Sequence, residues 1–309
     1  MTALARIASA LDGFFYAPAT ATRLAYLRVL VGAYSLAYLT VWSPSFVSVT
    51  RHAPDDFRPV GALSWLSEPI PPSLYLGLFA LTLLAGVLAT AGLRYRWVGP
   101  LYAALVLFVT TYRSSWGMLF HTDNLMTLHL AVLACAPAAD AVSLDARSRA
   151  LATTETEAHG RYGWAVRAIA LVTVATYVVA GCAKLRAAGF GWASGHVLAT
   201  QVAFDNVRKI ELGSFHSPLG VFMVAHPALF APLASFALAL ELGAPVALLG
   251  HRIGRAWAAA AWAFHLGVAL TMAIVFAYPL SFVAFAAFVR PDTWRALAFV
   301  RRLGEGAPA

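Results

Sequence analysis

The chain has 309 residues, of which 61% are hydrophobic and only 12% are charged. Soluble domains carry about 25% charged residues, so this composition excludes an ordinary soluble protein and indicates a polytopic membrane protein. The net charge is +8, but the basic residues are scattered between apolar stretches and form no basic face, which argues against binding to nucleic acid. Attraction to anionic lipids on the cytoplasmic side of a bilayer explains this charge better.

Residues 1–22 are expected to contain an interfacial helix. Asp12 interrupts the short apolar run at the start of the chain, which argues against a cleavable signal peptide. Between residues 3 and 15, apolar side chains recur at the spacing of one helical face, as in a helix that lies on a membrane. The residues of this face are Leu4, Ile7, Leu11, Phe14 and Phe15.

Residues 23–290 are predicted to form an all-α membrane bundle of about eight transmembrane helices, since about 20 apolar residues cross the hydrocarbon core as a helix. The last two spans form one apolar run, which we divide around Ala277-Tyr278-Pro279 because proline breaks helices. The predicted spans are 24–42, 73–93, 97–112, 120–138, 163–183, 228–249, 255–273 and 276–290.

Eight spans place both termini on the same side of the membrane. With the termini inside, the inner segments carry twice as many arginine and lysine residues as the outer segments, and this bias predicts cytoplasmic termini. We therefore expect an integral protein of a bacterial plasma membrane, with one domain over residues 1–309 and a cytoplasmic surface helix and tail at 291–309. Lys184 and the long segments 43–72 and 184–227 would then lie on the exterior.

Ionisable residues inside the predicted spans are candidate functional residues, because a charge in hydrocarbon is costly and usually serves a role. Each also has a structural interpretation. Arg28 either binds a lipid phosphate or an acidic partner, or it snorkels to the surface or forms a structural ion pair. The set comprises Arg28, His121, Asp123, His129, Lys184, Glu241 and His265.

Four consecutive polar residues open the fourth predicted span, at 121–124. In the structural interpretation, Asp123 or Thr122 is the N-cap of the helix. In the functional interpretation, His121 or Asn124 enters a polar pocket.

Lys184 ends a long apolar stretch and is the main indication of an enzyme. Burial disfavours the charged ammonium, and the neutral amine is a base; the alternative is a lysine that snorkels from the helix end. Gly181, one turn earlier, leaves room for close helix contact and a cavity. Glu241 lies mid-span and is either protonated or paired with Arg28, His265 or a substrate. His265 is either a site residue or a neutral histidine bonded to a neighbouring helix.

No metal site is expected. Cys135 and Cys182, the only cysteines, lie in apolar stretches and indicate neither a disulfide framework nor a thiolate site. The sequence has no histidine or carboxylate pair at ligand spacing on a helix, no glycine-rich phosphate loop and no serine-nucleophile motif.

Several of these residues stand in the order and spacing of a known family. The matching positions are Arg28 with Gly32, the string Ala-Gly-Cys-Ala-Lys-Leu at 180–185 with Trp192 and Gly195, Glu241 with Leu242, Phe264 with His265, residues 276–278 and residues 291–294. This pattern resembles the HTTM (horizontally transferred transmembrane domain) family, which includes the vitamin K-dependent gamma-carboxylase.

The resemblance implies a helical bundle with an outward-facing quinone site. In the carboxylase, the lysine at the position of Lys184 deprotonates reduced vitamin K, and reaction with oxygen then drives carboxylation of a glutamate by carbon dioxide. Lys184 would therefore be the base, and His121 lies near the family's polar histidine and asparagine segment as a second catalytic candidate. A reduced quinone (vitamin K or menaquinol), oxygen and carbon dioxide would be the cofactors. The residues expected to bind or orient the substrate are Asp123, Asn124, Trp192, Glu241 and His265.

Two departures from the carboxylase affect the expected function. Ala183 precedes Lys184, where the carboxylase has a second lysine. The carboxylase also continues into a large exterior domain that recruits its protein substrate, so carboxylation of a protein would here need a partner chain.

Three classes of function follow from these residues. The first is quinol oxygenation or a linked modification, with Lys184 as base. The second is a non-enzymatic partner for the maturation, export or immunity of a small secreted peptide, since other bacterial family members resemble helpers in peptide-toxin maturation. The third is a transporter with a proton relay through Glu241 and His265, against which stands the lack of an inverted repeat.

Overall fold

The computed structural model describes residues 3–118, 121–148 and 157–294. These residues are nearly all helical, and their only strands are β1 (Ala19–Thr20) and β2 (Ala158–His159), which pair antiparallel with Ala19 opposite His159. The chain divides into two compact units. One is formed by Met1–Ile169 with Arg290–Ala309, and the other by Ala170–Val289. The predicted single domain over residues 1–309 stays a prediction.

The first unit is built from helices whose ends follow from local sequence. The hydroxyl of Thr20 accepts a hydrogen bond from the Arg23 amide and caps the first long helix. Gly92 ends the next one in the left-handed conformation (φ 71°), which favours glycine. The helices are α1 (Ala3–Phe15), α2 (Ala21–Val41), α3 (Ser43–Ser48), α4 (Pro72–Ala91), α5 (Tyr95–Ser114), α6 (His121–Ala134) and α7 (Leu144–Ser148).

Close helix contacts hold the core of the first unit. Gly32 of α2 faces α4 so closely that a Cβ at residue 32 would lie 2.5 Å from the hydroxyl oxygen of Thr90. The family pattern of arginine followed by glycine therefore marks a point where two helices meet. Large side chains from α2, α4, α5 and α6 fill the core around this contact: Tyr26, Leu27, Leu39, Tyr75, Tyr102 and Met126.

Helix α8 (Gly160–Ala188) begins in the first unit and ends in the second. The second unit contains five further α-helices and four 3₁₀ helices. The α-helices are α9 (His196–Glu211), α10 (Pro218–Val224), α11 (Phe230–Leu242), α12 (His251–Met272) and the short α13 (Ala277–Leu280). The 3₁₀ helices are Gly189–Ser194, Pro227–Leu229, Ala244–Leu248 and Val283–Phe288.

Three helices of the described residues are long and apolar enough to cross a membrane, namely Ala21–Val41, Pro72–Ala91 and Gly160–Ser194. A fourth candidate is the pair Pro218–Val224 and Pro227–Leu242, which passes the same test only when joined and is bent by 106°. The described residues therefore support three or four membrane spans.

The other predicted spans are shorter or less apolar in the structure. Helices α5 and α12 have 20 and 22 residues, but arginine, histidine and tryptophan lower their mean hydropathy. Helix α6 has 14 residues, which reach about 21 Å at 1.5 Å per residue, against a hydrocarbon core of about 30 Å. Eight transmembrane helices are thus not confirmed.

The predicted end of the seventh span at residue 273 agrees with the structure, but Pro279 is not its cause. Helix α12 ends at Met272, because Ala273 adopts a left-handed conformation with φ 49°. Pro279 instead lies inside α13, where the first helical turn needs no amide proton at this position. Phe282 is also left-handed (φ 66°), so the predicted span 276–290 is divided between α13 and a 3₁₀ helix.

The predicted terminal helices have different outcomes. A helix over residues 3–15 is confirmed as α1, and its position on a membrane surface stays a prediction. Of the predicted cytoplasmic helix and tail at 291–309, residues 295–309 lie outside the described part of the chain. The segment 184–227, predicted as an exterior loop, is largely helical and contains α9 and α10.

Candidate functional site

Lys184 forms an ion pair with Glu241 in the second unit. Lys184 lies in the last turns of α8 and Glu241 in the last turn of α11, and the lysine Nζ is 2.6 Å and 2.7 Å from the two carboxylate oxygens. The side chain of Glu241 is only 3% exposed, whereas that of Lys184 is 21% exposed. Neither Arg28 nor His265 is the partner of Glu241, and the sequence analysis did not name Lys184 for this role.

Gly181 allows the two helices to approach. A Cβ at residue 181 would lie 2.9 Å from Cδ2 of Leu242 and 3.1 Å from Cβ of Glu241. The space that the sequence analysis assigned to a cavity is therefore occupied by α11 at this point. Gly181 and Lys184 stand one turn apart, so the glycine brings α11 to the distance at which the lysine pairs with Glu241.

Trp192 covers the ion pair from the 3₁₀ helix that follows α8. The Lys184 Nζ lies 5.5 Å from the centroid of the Trp192 ring, within the range of a cation–π contact. Trp192 is buried and packs against Ala234 and Leu238 of α11. Its indole Nε1 is buried and has no hydrogen-bond partner among the described residues.

Gly195 fixes this segment against the start of α11. Its φ is 84°, a conformation that favours glycine. A Cβ at this position would lie 2.5 Å from the backbone nitrogen of Ala231. The tryptophan and glycine of the family signature therefore seat the 3₁₀ helix on α11.

Tyr177 and His265 form a second polar contact in the same unit. The Tyr177 hydroxyl lies 2.7 Å from Nε2 of His265, and both residues are buried. The rings of Trp257 and Phe285 pack on Tyr177. Nδ1 of His265 is buried with no hydrogen-bond partner among the described residues.

The two contacts are neighbours. Tyr177 precedes Lys184 by seven residues, which is two turns of α8, so the two side chains share one helical face. Tyr177 lies within electrostatic range of Glu241, and His265 within that of Lys184. Tyr177 was not among the residues predicted from sequence, although its seven-residue spacing from Lys184 places it on the same helical face.

Asp123 belongs to a buried cluster in the first unit. Its two carboxylate oxygens lie 2.7 Å from Nη2 of Arg113 and 2.7 Å from the hydroxyl of Tyr38. The guanidinium of Arg113 also donates to the Tyr38 hydroxyl and lies 4.1 Å from the ring centroid of Phe46. Both carboxylate oxygens are thus engaged by tertiary contacts, and Arg113 is buried as well.

The other candidates of α6 differ from Asp123. Asn124 is exposed on the helix. His121 is the first residue of α6, but its side chain lies outside the described part of the chain. Their predicted catalytic or substrate-binding roles stay predictions. His129 is fully buried and hydrogen-bonded to the backbone of Ile169.

Arg28 binds backbone carbonyls in the first unit. Its guanidinium donates to the carbonyl oxygen of Ala138 at 3.0 Å and to that of Val142. The residue is buried, and its Cζ lies 5.8 Å from the ring centroid of Tyr95. A Cβ at Gly92 would lie 2.6 Å from the Arg28 Nη1. Arg28 thus ties α2 to the segment after α6, so neither a snorkelling side chain nor a carboxylate pair describes it.

Comparison with known proteins places the chain in a family. The described residues contain no group of three or more histidine, cysteine, aspartate or glutamate residues arranged to hold a metal ion. No curated protein and no solved structure shows a significant match to the chain. The family model described as HTTM domain matches residues 16–294, which include every candidate residue above. The chain therefore belongs to the HTTM domain family, and its apolar helices agree with an integral membrane protein.

Proposed function

We propose that this HTTM protein is a quinol-dependent membrane enzyme in which the Lys184–Glu241 pair accepts a proton from a ring hydroxyl of a reduced quinone, either vitamin K or menaquinol. The observation that carries this proposal is the unequal burial of the pair. Glu241 is enclosed at 3% exposure, whereas Lys184 is 21% exposed. The amine is therefore accessible to a ligand, whereas the carboxylate is enclosed by protein.

The polar atoms around the pair fit a ligand of this kind. Nε1 of Trp192 and Nδ1 of His265 are buried without a partner among the described residues, and an unsatisfied buried polar atom costs about 1–3 kcal/mol. A reduced quinone combines an apolar ring with two hydroxyl oxygens, which suits aromatic side chains and a few unsatisfied polar atoms. We infer that such a ligand contacts Trp192, His265 or both.

The pair holds and moves protons without a net change of charge in the resting state. Glu241 can take one proton from the Lys184 ammonium, which leaves a neutral amine and a neutral carboxylic acid. The amine then takes a proton from the ligand hydroxyl and becomes an ammonium again. The transferred proton remains on Glu241, and the Lys184 ammonium stabilises the negative charge left on the ligand oxygen.

The remaining chemistry comes from the co-reactants. Oxidation of a reduced quinone by oxygen would drive a carboxylase-type reaction, and carbon dioxide would supply the carboxyl group. The residues of this chain orient the ligand, and the packed helices α8 and α11 keep water from the carboxylate. The acceptor of a carboxyl group would be a peptide or a partner chain.

Quinol turnover tests the proposal. Purified protein in lipid discs receives reduced menaquinone or vitamin K with oxygen, and mass spectrometry detects the quinone epoxide. We expect Lys184→Ala to lower turnover by about 10²-fold or more, the usual loss when a general base is removed. Cys182→Ala is the matched control, because Cys182 is exposed on the same helix two residues away and should retain activity.

Binding is measured separately from turnover. Native mass spectrometry in the presence of oxidised menaquinone reports whether a quinone is retained by the wild type and by Trp192→Phe. Absence of both retention and epoxide in the wild-type protein contradicts the proposal.

A non-enzymatic partner for the maturation, export or immunity of a secreted peptide is the second candidate. One observation favours it: a lysine paired with a buried carboxylate is explained by the contact of α8 with α11 alone. Replacing a buried ion pair by apolar residues of similar volume is often neutral for stability. The double variant Lys184→Met with Glu241→Leu should therefore fold, and full biological function in this variant would favour the peptide partner.

A further inference from the structure

The inner face of helix α9 is apolar in its first half, where Val202 packs with Met223 and Phe230, and polar in its second half. Lys209 donates to Asp205 at 2.7 Å and to the carbonyls of Met272 and Ala273 at the end of α12. Asn206 donates to the carbonyl of Thr271 at 3.1 Å. The last carbonyls of a helix need such donors, and a cation there also complements the helix dipole.

The outer face of the same helix is apolar. Phe204 is 69% exposed, and Val207 and Ile210 are also exposed. At 100° per residue these three side chains span one arc of about 120°, opposite the buried polar residues. Beyond the helix, Leu212 and Phe215 continue the exposed apolar surface, and Phe215 is 83% exposed. We call these five residues the α9 apolar face.

Over the second half of α9, this polarity is the reverse of that of a helix on a water-soluble protein, which turns its apolar stripe to the core. Three large apolar side chains on one exposed arc are stable when the surrounding medium is itself apolar. Gln201 and Arg208 flank the arc on one side of the helix, and both are exposed. Such an arrangement is typical of a helix that lies in the membrane interface with its polar flank at the headgroups.

The apolar surface is continuous with a candidate membrane segment. Helix α10 follows after six residues, and it exposes Leu219, Val221 and Phe222. With the helix after it, α10 is apolar enough to enter a membrane, in a pair bent by 106°. Helix α10, which follows α9 in the chain, is therefore itself expected to lie among lipid acyl chains.

We propose that α9 lies in the lipid interface with the α9 apolar face in the acyl layer and Arg208 at the headgroups. Helix α9, part of the segment 184–227 predicted to lie on the exterior, is then bound to the membrane. The proposal is independent of any catalytic role of Lys184.

Depth-resolved spin labelling tests this position. In the full chain with Cys135→Ser and Cys182→Ser, a nitroxide is attached to Phe204→Cys, Val207→Cys or Ile210→Cys. Gln201→Cys on the polar flank is the matched control. The protein is reconstituted in phosphatidylcholine and phosphatidylglycerol vesicles, and accessibility to oxygen is compared with accessibility to a water-soluble nickel chelate.

We expect the three apolar positions to show a several-fold higher ratio of oxygen to nickel accessibility than position 201. A low ratio at all three positions means that the face lies in water and overturns the proposal. Low accessibility to both reagents, with dipolar broadening between labels, means that a second copy covers the face and overturns it equally. All labelled positions are exposed, so the labels should not disturb the fold. An elution profile in detergent that matches the wild-type profile checks this.

Discussion

Two ion pairs of the described residues, one in each unit, are built differently. Arg113 and Asp123 are both almost fully enclosed, with side-chain exposures of 2% and 5%, and Tyr38 bridges them. In the other pair, Lys184 alone contacts both carboxylate oxygens of Glu241, and the lysine is partly exposed. Arginine is a rigid and permanently charged group, whereas lysine loses its proton more readily when buried.

The difference indicates two roles. The first pair has its carboxylate satisfied on both oxygens and its cation stacked on Phe46, so it is suited to holding α2, α5 and α6 together. The second pair has unsatisfied polar atoms near it, on Trp192 and His265. Substitutions that separate stability from ligand chemistry test this comparison.

The largest expected effect on stability is that of Asp123→Ala. Removing the carboxylate leaves the Arg113 charge buried without its counter-ion, which costs about 3–5 kcal/mol in free energy of unfolding. Lys184→Ala should cost less, because the remaining Glu241 can take up a proton and become neutral. Unfolding by SDS in mixed micelles measures both variants. Equal losses for the two would contradict the division into a structural and a reactive pair.

The next largest effect is expected for Gly181→Ala. The added Cβ would lie 2.9 Å from Leu242 and 3.1 Å from Glu241, and overpacking of this kind costs about 1–3 kcal/mol. The displacement of α11 should also lower ligand binding at Lys184.

Gly267→Ala is the control for this substitution. It is a glycine of α12 in the same unit, and a Cβ there meets nothing within 4 Å. Replacing it should stabilise the helix by about 0.5–1 kcal/mol. Destabilisation by Gly267→Ala of the same size as by Gly181→Ala would show that the helix contact is not the cause.

The smallest effects compare two tyrosine hydroxyls. Tyr38→Phe removes a hydrogen bond to a carboxylate, which is worth about 1.5–3 kcal/mol, and Tyr177→Phe removes one to a histidine, worth about 0.5–1.5 kcal/mol. We expect Tyr38→Phe to affect only stability. Tyr177→Phe should in addition weaken quinone retention in native mass spectrometry, because His265 loses the group that orients it. Unchanged retention would assign Tyr177 to packing alone.

The helical fold and the family could be predicted from the sequence, because composition and the spacing of the Arg28, Lys184 and Trp192 signatures are local properties. The partners of those residues could not. Glu241 lies 57 residues from Lys184, and Arg113 and Asp123 belong to different helices. Only the packing of α8 on α11, and of α5 with α6, brings these charges together.

Helix ends were the other limit of prediction. Helix α12 ends just before Ala273, a residue with no special preference for the left-handed conformation. The sequence therefore offered no sign of the true cause, and the break was attributed to the nearby proline. The position of α9 was also missed, since its apolar and polar residues alone do not reveal which face the rest of the unit covers.

Lys184 and Glu241 neutralise each other only once α8 and α11 lie side by side. A charged residue within a hydrophobic segment raises the free energy of membrane insertion by up to about 2.5–3.5 kcal/mol. During synthesis, Glu241 emerges 57 residues after its counter-ion. A larger fraction of chains should therefore insert α11 into the bilayer when α8 has already inserted next to it. A glycosylation-tag insertion assay measures this coupling. It compares α11 alone, α11 with Glu241→Leu, and the segment from α8 through α11. Equal insertion of all three would show that each helix inserts independently.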